Sequence, residues 1–227
     1  MNYMTSNDFV HVEHTWSTPD AEKLIVKMAR VSNPKNQDNF ETAPKLIKYL
    51  ISHKHWSPFE MANLCVQIQT QRDISAQILR HRSFSFQEYS SRYANVSAPA
   101  VPDFRRQDLK NRQNSIDDID EAILKEMHAK TADQFSSIYK LYEELLDSGV
   151  AKETARRILP LCSPTVLYMN GTLRSWIHYL ELRCGNGTQY EHQLVANECA
   201  KIFNEKFPLI SEALHSPTIG FIKGFHD

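Results

Sequence analysis

The sequence predicts an α+β fold, a small, mainly antiparallel sheet with several long helices, in a single domain over residues 1–227. Three observations predict it. Apolar residues recur at helical spacing in long blocks, alternating stretches are few and short, and the two patterns do not take turns as βαβ units would. No linker divides the chain.

Phe9-Val10-His11-Val12-Glu13-His14 partly alternates and predicts a first strand. Thr18-Pro19 then offers an N-cap and first-turn pair for a helix to about Val31. Ala43 to His53 reads as a second helix, Pro58 interrupts, and Leu64 to Thr70 alternates as a half-buried strand does. Asp73 is placed to cap a short helix running to about Arg82. Phe84 to Arg106 has no clean period and reads as loop with a short extended piece. From Ser115, the residues Ile116, Ile119, Ile123, Met127, Phe135, Ile138, Tyr142 and Leu145 keep helical spacing up to Ser148-Gly149, which predicts a long helix serving as core and assembly scaffold. Ala151 to about Leu159 is a further helix, Thr165 to Met169 a strand, and Thr172 caps a helix to Arg183. Gln189 to Phe207 is again helical, and Pro208 ends it.

Composition limits the chemistry. There are six glycines in 227 residues, well below the usual share of about 7%, and only Gly149 precedes Gly171. Neither G-x-G-x-x-G nor G-x-x-x-x-G-K-[ST] occurs, so a bound phosphate has to be held by side chains. With 41% hydrophobic and 23% charged residues and a net charge of −1, the chain is neither disordered nor a general nucleic-acid coat. No apolar run approaches a membrane span, and Met1 to Val10 lacks the basic start and apolar stretch of a signal peptide, which points to the cytoplasm. Cys65, Cys162, Cys184 and Cys199 have no C-x-x-C spacing and are expected as buried free thiols, and the ten histidines show no H-E-x-x-H spacing, so no metal is expected.

Polar chemistry concentrates between residues 77 and 93. On a helix, Gln77, Arg80 and His81 fall within an arc of about 100°, so one face presents an amide, a guanidinium and an imidazole. The amide matches a pyrimidine-like edge and the guanidinium matches phosphate. Ser90 and Ser91, beside Arg92, supply hydroxyls for an anion.

The string Arg80-His81-Arg82-Ser83-Phe84-Ser85-Phe86-Gln87-Glu88-Tyr89-Ser90-Ser91-Arg92-Tyr93 resembles the signature of the flavin-dependent thymidylate synthases: Arg-His-Arg, seven residues, then Ser. Four more elements, in order, resemble that family. They are Ala29-Arg30-Val31-Ser32, His55-Trp56-Ser57-Pro58-Phe59-Glu60, Ala155-Arg156-Arg157-Ile158-Leu159-Pro160, and Arg174-Ser175-Trp176-Ile177-His178 with Arg183.

The resemblance implies reductive methylation of dUMP to dTMP, with methylenetetrahydrofolate as carbon donor and FAD, reduced by NADPH, as hydride carrier. It implies a homotetramer with active sites between subunits, small-molecule substrates, and neither nucleic acid nor membrane as partner. By motif position, dUMP falls to Gln77, Ile78, Leu79, Arg80, Glu88, Tyr89, Ser90, Ser91, Arg92, Arg156 and Arg183. FAD falls to His55, Ser57, Arg80, His81, Arg82, Glu88, Thr172, Leu173, Arg174 and His178. Arg183 is the implied catalytic residue, because a fixed cation at the pyrimidine edge favours the N3-ionised, electron-rich ring. Arg174 and His178, four residues apart, share a helix face, whereas Arg183 lies about 180° round, so one helix serves two pockets.

The chain departs from the family pattern at four places: Gln87 and Thr172 stand where Asn is frequent, Ser57 replaces Thr, and Gly187 stands where His is often seen. A side chain at this last place has to come from Asn186, Gln189 or His192. Competing readings are a cysteine nucleophile at Cys162, which has no adjacent cation, a metal hydrolase, and a non-catalytic nucleotide- or RNA-binding module built on Arg80 to Tyr93 with Phe84, Phe86 and Tyr89 for stacking.

Overall fold

The computed structural model describes residues 5–185 and 187–216; Asn186 lies outside them. The chain runs through β1 (His11–Ser17), α1 (Ala21–Ala29), α2 (Ala43–Ser52), β2 (Asn63–Gln71), α3 (Arg72–Ile78), β3 (Phe84–Glu88), β4 (Arg106–Gln107), β5 (Ser115–Ile116), α4 (Glu121–Asp147), α5 (Lys152–Ala155), β6 (Pro164–Thr172), α6 (Leu173–Arg183), α7 (Tyr190–Lys206) and α8 (Pro208–Leu214). Four strands form one sheet in the order β1-β2-β6-β3, every neighbour antiparallel, while β4 and β5 pair separately. The α+β expectation holds.

The alternation in β2 is what seats the sheet. Leu64, Val66 and Ile68 are fully buried and oppose Gly171, Met169 and Leu167 of β6, forming the apolar row against which the helices pack. β3 extends that row, with Phe84 opposite Gly171 and Phe86 opposite Met169. Gly171 lets this happen: a Cβ there would lie 2.4 Å from Cδ1 of Phe84. Trp176 of α6, fully buried, donates its Nε1–H to the Leu64 carbonyl at 2.9 Å, tying the helix layer to the central strands. The opposite sheet face is polar, with the Tyr168 hydroxyl donating to Gln67 Oε1 at 2.6 Å.

Several boundaries differ from the sequence pattern, each for a tertiary reason. β1 begins at His11, after a 3-10 turn over Ser6–Phe9, and runs to Ser17 because β2 supplies partners that far. Thr18 closes the β1–β2 ladder instead of capping a helix: its N–H donates to Asn63 O at 3.0 Å and its Oγ1 accepts from Asn63 N at 2.9 Å. α1 therefore starts after Asp20, in left-handed backbone with φ 48, and stops at Ala29. α3 starts one residue before Asp73 and ends at Ile78, not Arg82. Phe84–Glu88 is an edge strand of the main sheet, not loop.

The long helix starts at Glu121, where Asp120 accepts from Ala122 N and Ile123 N; Ser115 and Ile116 belong to the small β4–β5 ribbon instead. Tyr142 is the one fully buried residue of α4, and Ile123, Met127 and Leu141 are exposed, so α4 is not core within this chain. The expected helix over Ala151 to Leu159 is α5 followed by a 3-10 turn at Arg156–Ile158. Pro208 does not end the helical region but occupies the first position of α8, where a missing N–H goes unneeded. Cys65, Cys184 and Cys199 are buried free thiols as expected, and Cys162 is half-buried. Among the described residues no helix is long and apolar enough to cross a membrane.

Candidate active site

Three polar groupings gather around the junction of α3, β3 and α6. The first lies where α3 ends. Arg80-His81-Arg82 sits on tight turns, held by His81 N–H to Ile78 O at 3.0 Å and Phe84 N–H to His81 O at 3.2 Å, not on a helix. The expected single face of Gln77, Arg80 and His81 is therefore not formed: Arg80 and Arg82 are exposed, while Gln77 and His81 turn inward. Leu79 is exposed and Ile78 fully buried in the core.

His81 Nε2 accepts from the Nε–H of Arg183 at 2.9 Å, and its ring meets Tyr179 edge-on at 5.0 Å. Burial, then the charges of Arg183 and His178, hold its pKa at about 4. The ring is thus neutral with its proton on Nδ1, the tautomer that leaves Nε2 free to accept. Beside it, fully buried His192 lies 3.1 Å from the Tyr179 hydroxyl and 3.3 Å from Gln77 Oε1. Burial, then Arg183 and His81, depress its pKa to about 3. Gln77 Nε2 donates to Gln189 Oε1 at 2.6 Å. Gln189 and His192, two of the three residues that could supply a side chain near Gly187, thus both converge on Gln77.

The second grouping is at the far end of β3. Glu88 Oε1 accepts from Ser75 Oγ at 2.7 Å and Thr165 Oγ1 at 3.1 Å, which fixes the carboxylate between α3 and β6. Buried Ser91 presents Oγ to two guanidinium groups, Arg72 Nη2 at 3.1 Å and Arg156 Nη1 at 2.8 Å. These line a cavity of about 250 Å³ with Arg157 and Ser163, and no acidic residue lines it. The main chain shapes the approach: Tyr89 N–H donates to Val166 O at 2.8 Å, and the Ser90 carbonyl accepts from Tyr93 N–H at 3.0 Å. Arg92 is exposed and paired with Glu153 at 3.2 Å.

The third grouping is a groove of about 600 Å³ lined by Lys54, Trp56, Glu60, Ser83, Arg174, Ser175, Ile177, His178 and Glu181. Arg174 pairs with Glu60 on the groove wall. Thr172 caps α6, its Oγ1 accepting from Ser175 N at 3.3 Å, as the sequence predicts. That cap sets the phase of α6, so Arg174 and His178 line the groove while Arg183 turns to His81. Leu173 is fully buried. His55 and Ser57 are exposed at the start of the 3-10 turn over Ser57–Met61, either side of Trp56.

Residues that sequence reasoning missed are Arg72, Ser75, Thr165 and Tyr179, which hold the others. Arg72 had a readable signal: it is a cation in the first turn of a helix, where the dipole disfavours positive charge, so a compensating task is needed. The competing reading of Cys162 as a nucleophile finds no support, because burial, then nearby Asp73, raises the pKa of its thiol. No group of three metal-ligating side chains occurs among the described residues.

The profile of the "Thymidylate synthase complementing protein" family matches residues 12–209. The chain is 52% identical over 195 residues to a "Probable flavin-dependent thymidylate synthase" of Paramecium bursaria Chlorella virus 1, covering 86% of this chain and 90% of the relative. It is 49% identical over 193 residues to a "Flavin-dependent thymidylate synthase" of Synechocystis sp., covering 85% and 89%. In structure it is similar to a UMP/dUMP methylase, PolB, from Streptomyces cacaoi, solved with 5-Br dUMP, with a TM-score of 0.79 at 28% identity over 90% of this chain and 94% of that one.

Proposed function

Because this chain belongs to the thymidylate synthase complementing protein family, whose members are flavin-dependent thymidylate synthases, we propose that it makes dTMP from dUMP by reductive methylation. Methylenetetrahydrofolate is the carbon donor and NADPH the source of reducing equivalents. FAD, when bound, supplies the hydride transfer that amino-acid side chains cannot.

The observation that carries the reading is the meeting of Arg72 and Arg156 on Ser91 Oγ with no carboxylate in the cavity. Two guanidinium groups brought together without a counter-ion repel, and a phosphate relieves that repulsion through charge-assisted, bidentate contacts. The nucleotide phosphate is assigned to Ser90, Ser91, Arg92 and Arg156, with Arg72 as an added donor and the Tyr89 main chain shaping the rim. The pyrimidine then falls toward Gln77, Ile78, Leu79 and Arg183, with Glu88 between the two ends and Arg80 exposed beside them.

Arg183 has its Nε–H engaged by His81, so its terminal nitrogens are the ones left for a ligand. A guanidinium there stabilises the N3-ionised pyrimidine, whose C5 is the more nucleophilic. His81, neutral and acceptor only at Nε2, holds that guanidinium without cancelling its charge.

The groove donor set fits FAD: Arg174 and Lys54 offer cations for a pyrophosphate, His178 a ring nitrogen, Ser83 and Ser175 hydroxyls, and Trp56 an aromatic wall. His55, Ser57, Arg82 and Thr172 lie close to groove residues in the chain, whereas His81 faces Arg183, Glu88 is held between Ser75 and Thr165, and Leu173 is buried in the core. A homotetramer completes the proposal, supported by the apolar side chains of Ile123, Met127 and Leu141 that α4 leaves exposed. Small molecules and further copies of this chain are its partners. The cytoplasm is the proposed place of action, supported by three buried free thiols.

The test is direct. Purified protein carries or acquires a yellow flavin spectrum and consumes NADPH only with dUMP and methylenetetrahydrofolate, forming dTMP. A colourless protein indifferent to FAD, with no dUMP-dependent NADPH oxidation, overturns the reading.

A further inference from the structure

A directional chain of hydrogen bonds crosses α6, α7 and α3 and ends on a carboxylate. The buried Tyr179 hydroxyl is 3.1 Å from His192 Nε2, His192 Nδ1 is 3.3 Å from Gln77 Oε1, Gln77 Nε2 donates to Gln189 Oε1 at 2.6 Å, and Gln189 Nε2 donates to Glu191 Oε2 at 3.0 Å. We propose that Glu191 is a positioning residue: it sets the amide orientation of Gln77 from two links away, and so decides which pyrimidine edge Gln77 accepts. This rests on the reading of Gln77 as a pyrimidine contact.

The direction follows from what each group is able to do. A carboxylate oxygen only accepts, so Gln189 must turn its NH₂ to Glu191. An amide carries its oxygen opposite its nitrogen, so Gln189 then shows Oε1 to Gln77, which must answer with its own NH₂. Gln77 Oε1 is left facing His192, so Nδ1 of His192 carries the proton, Nε2 is bare, and the Tyr179 hydroxyl donates into it. No link has a second choice once the end is fixed. Glu191 lies in the first turn of α7, where the helix dipole favours a negative charge. The Asp73 carboxylate, on α3, lies near the Gln189 side chain and favours the same direction.

The consequence is specificity. A freely flipping amide matches uracil in one orientation and cytosine in the other, because the two bases exchange donor and acceptor at position 4 and at N3. Held in one orientation, Gln77 offers its second N–H to the uracil O4 and the second lone pair of its oxygen to N3–H of the bound base before that nitrogen ionises, and meets the cytosine edge donor to donor and acceptor to acceptor. Such a mismatch leaves polar groups unpaired on both the amide and the base, which is a strongly discriminating device.

Neutron diffraction of the deuterated protein reads the chain directly. The expected result is a deuteron on His192 Nδ1 and none on Nε2; a deuteron on Nε2 overturns the proposal without any variant. In the flavin-loaded enzyme, the double variant Asp73→Asn with Glu191→Lys replaces the acceptor by a donor. It should move the His192 proton to Nε2 and lower the ratio of dUMP to dCMP affinity at least tenfold, whereas Glu191→Asp keeps both as they are. A His192 proton that stays on Nδ1 in the double variant overturns the proposal. If the proton moves and the affinity ratio does not, the control of the amides by Glu191 stands, and the assignment of Gln77 to the pyrimidine falls.

Discussion

Arg183 and His81, 102 residues apart in sequence, are joined by one hydrogen bond of 2.9 Å from guanidinium Nε to imidazole Nε2. The bond uses the inner nitrogen of the guanidinium and leaves the outer fork free. Replacing Arg183 by Ala should lower kcat for dTMP formation about 10²–10³-fold, the usual loss for one preorganised charge-stabilising donor. Arg183→Lys should not restore it, since an ammonium has no Nε–H to lock against His81. Thermal melting should stay near wild type, as the end of α6 is only partly buried; near-normal turnover in Arg183→Ala would remove its assigned role.

Acid should destabilise the chain through two histidines. His81 and His192 have pKa values of about 4 and about 3 in the fold against 6.5 unfolded. The unfolded chain therefore takes up protons that the folded chain refuses, and stability is complete above pH 6.5 and falls as pH drops toward 4 and then 3. Fully buried His192 contributes up to about 1.4 kcal/mol per pH unit in that window. Urea titrations at pH 7, 5.5 and 4.5 should show this fall, and the His192→Phe variant should show a shallower one.

The anion cavity should respond in KM more than in kcat. Loss of a charge-assisted hydrogen bond is worth about 1.5–3 kcal/mol, or about 10–100-fold in affinity. Arg156→Ala is expected at the upper end for dUMP and Ser91→Ala at the lower. Isothermal titration with dUMP and with deoxyuridine separates the cause: only the nucleotide should lose affinity.

Gly171 is constrained by its neighbour, not by its backbone. A methyl group there meets the Phe84 ring at 2.4 Å, and the ring is wedged edge-on against Trp176 at 5.1 Å. Gly171→Ala should cost about 1–3 kcal/mol, the usual penalty of overpacking, and shift β3 with its Glu88. Calorimetry should show a lowered Tm, and Phe84→Leu in the same chain should recover part of it.

Association should depend on α4. Leu141 is 47% exposed and Ile123 is 52% exposed, so a charged residue at either leaves the folded chain intact. Leu141→Glu and Ile123→Glu should lower the sedimentation coefficient from that of the proposed tetramer toward smaller species at equal concentration, with an unchanged far-ultraviolet circular dichroism spectrum.

Local chemistry made much of this legible in advance. Thr172 and the apolar positions after it define α6 from cap to Arg183, and the alternation of Leu64, Val66 and Ile68 defines the central strand, since both patterns are set by neighbours within one element. Thr18 and Asp73 misled for the complementary reason: each has cap-like chemistry, but partners on β2 and in the site use that chemistry first. Arg80, His81 and Arg82 are adjacent in sequence yet divide between solvent and interior, because the turn after Ile78 rotates them apart.

The sequence by itself determined the fold class, the central strand, the α6 scaffold and the identity of the polar groups, because hydrophobic period, capping and residue chemistry act over a few neighbours. Only the tertiary structure decided which of those groups meet. Arg72 joins Arg156 on Ser91, Glu88 is caught by Ser75 and Thr165, and Arg183 finds His81, each across 10 or more residues. Protonation followed from that assembly: burial beside Arg183 holds His81 and His192 neutral, and no local pattern in the chain encodes how deeply a side chain will be withdrawn from water.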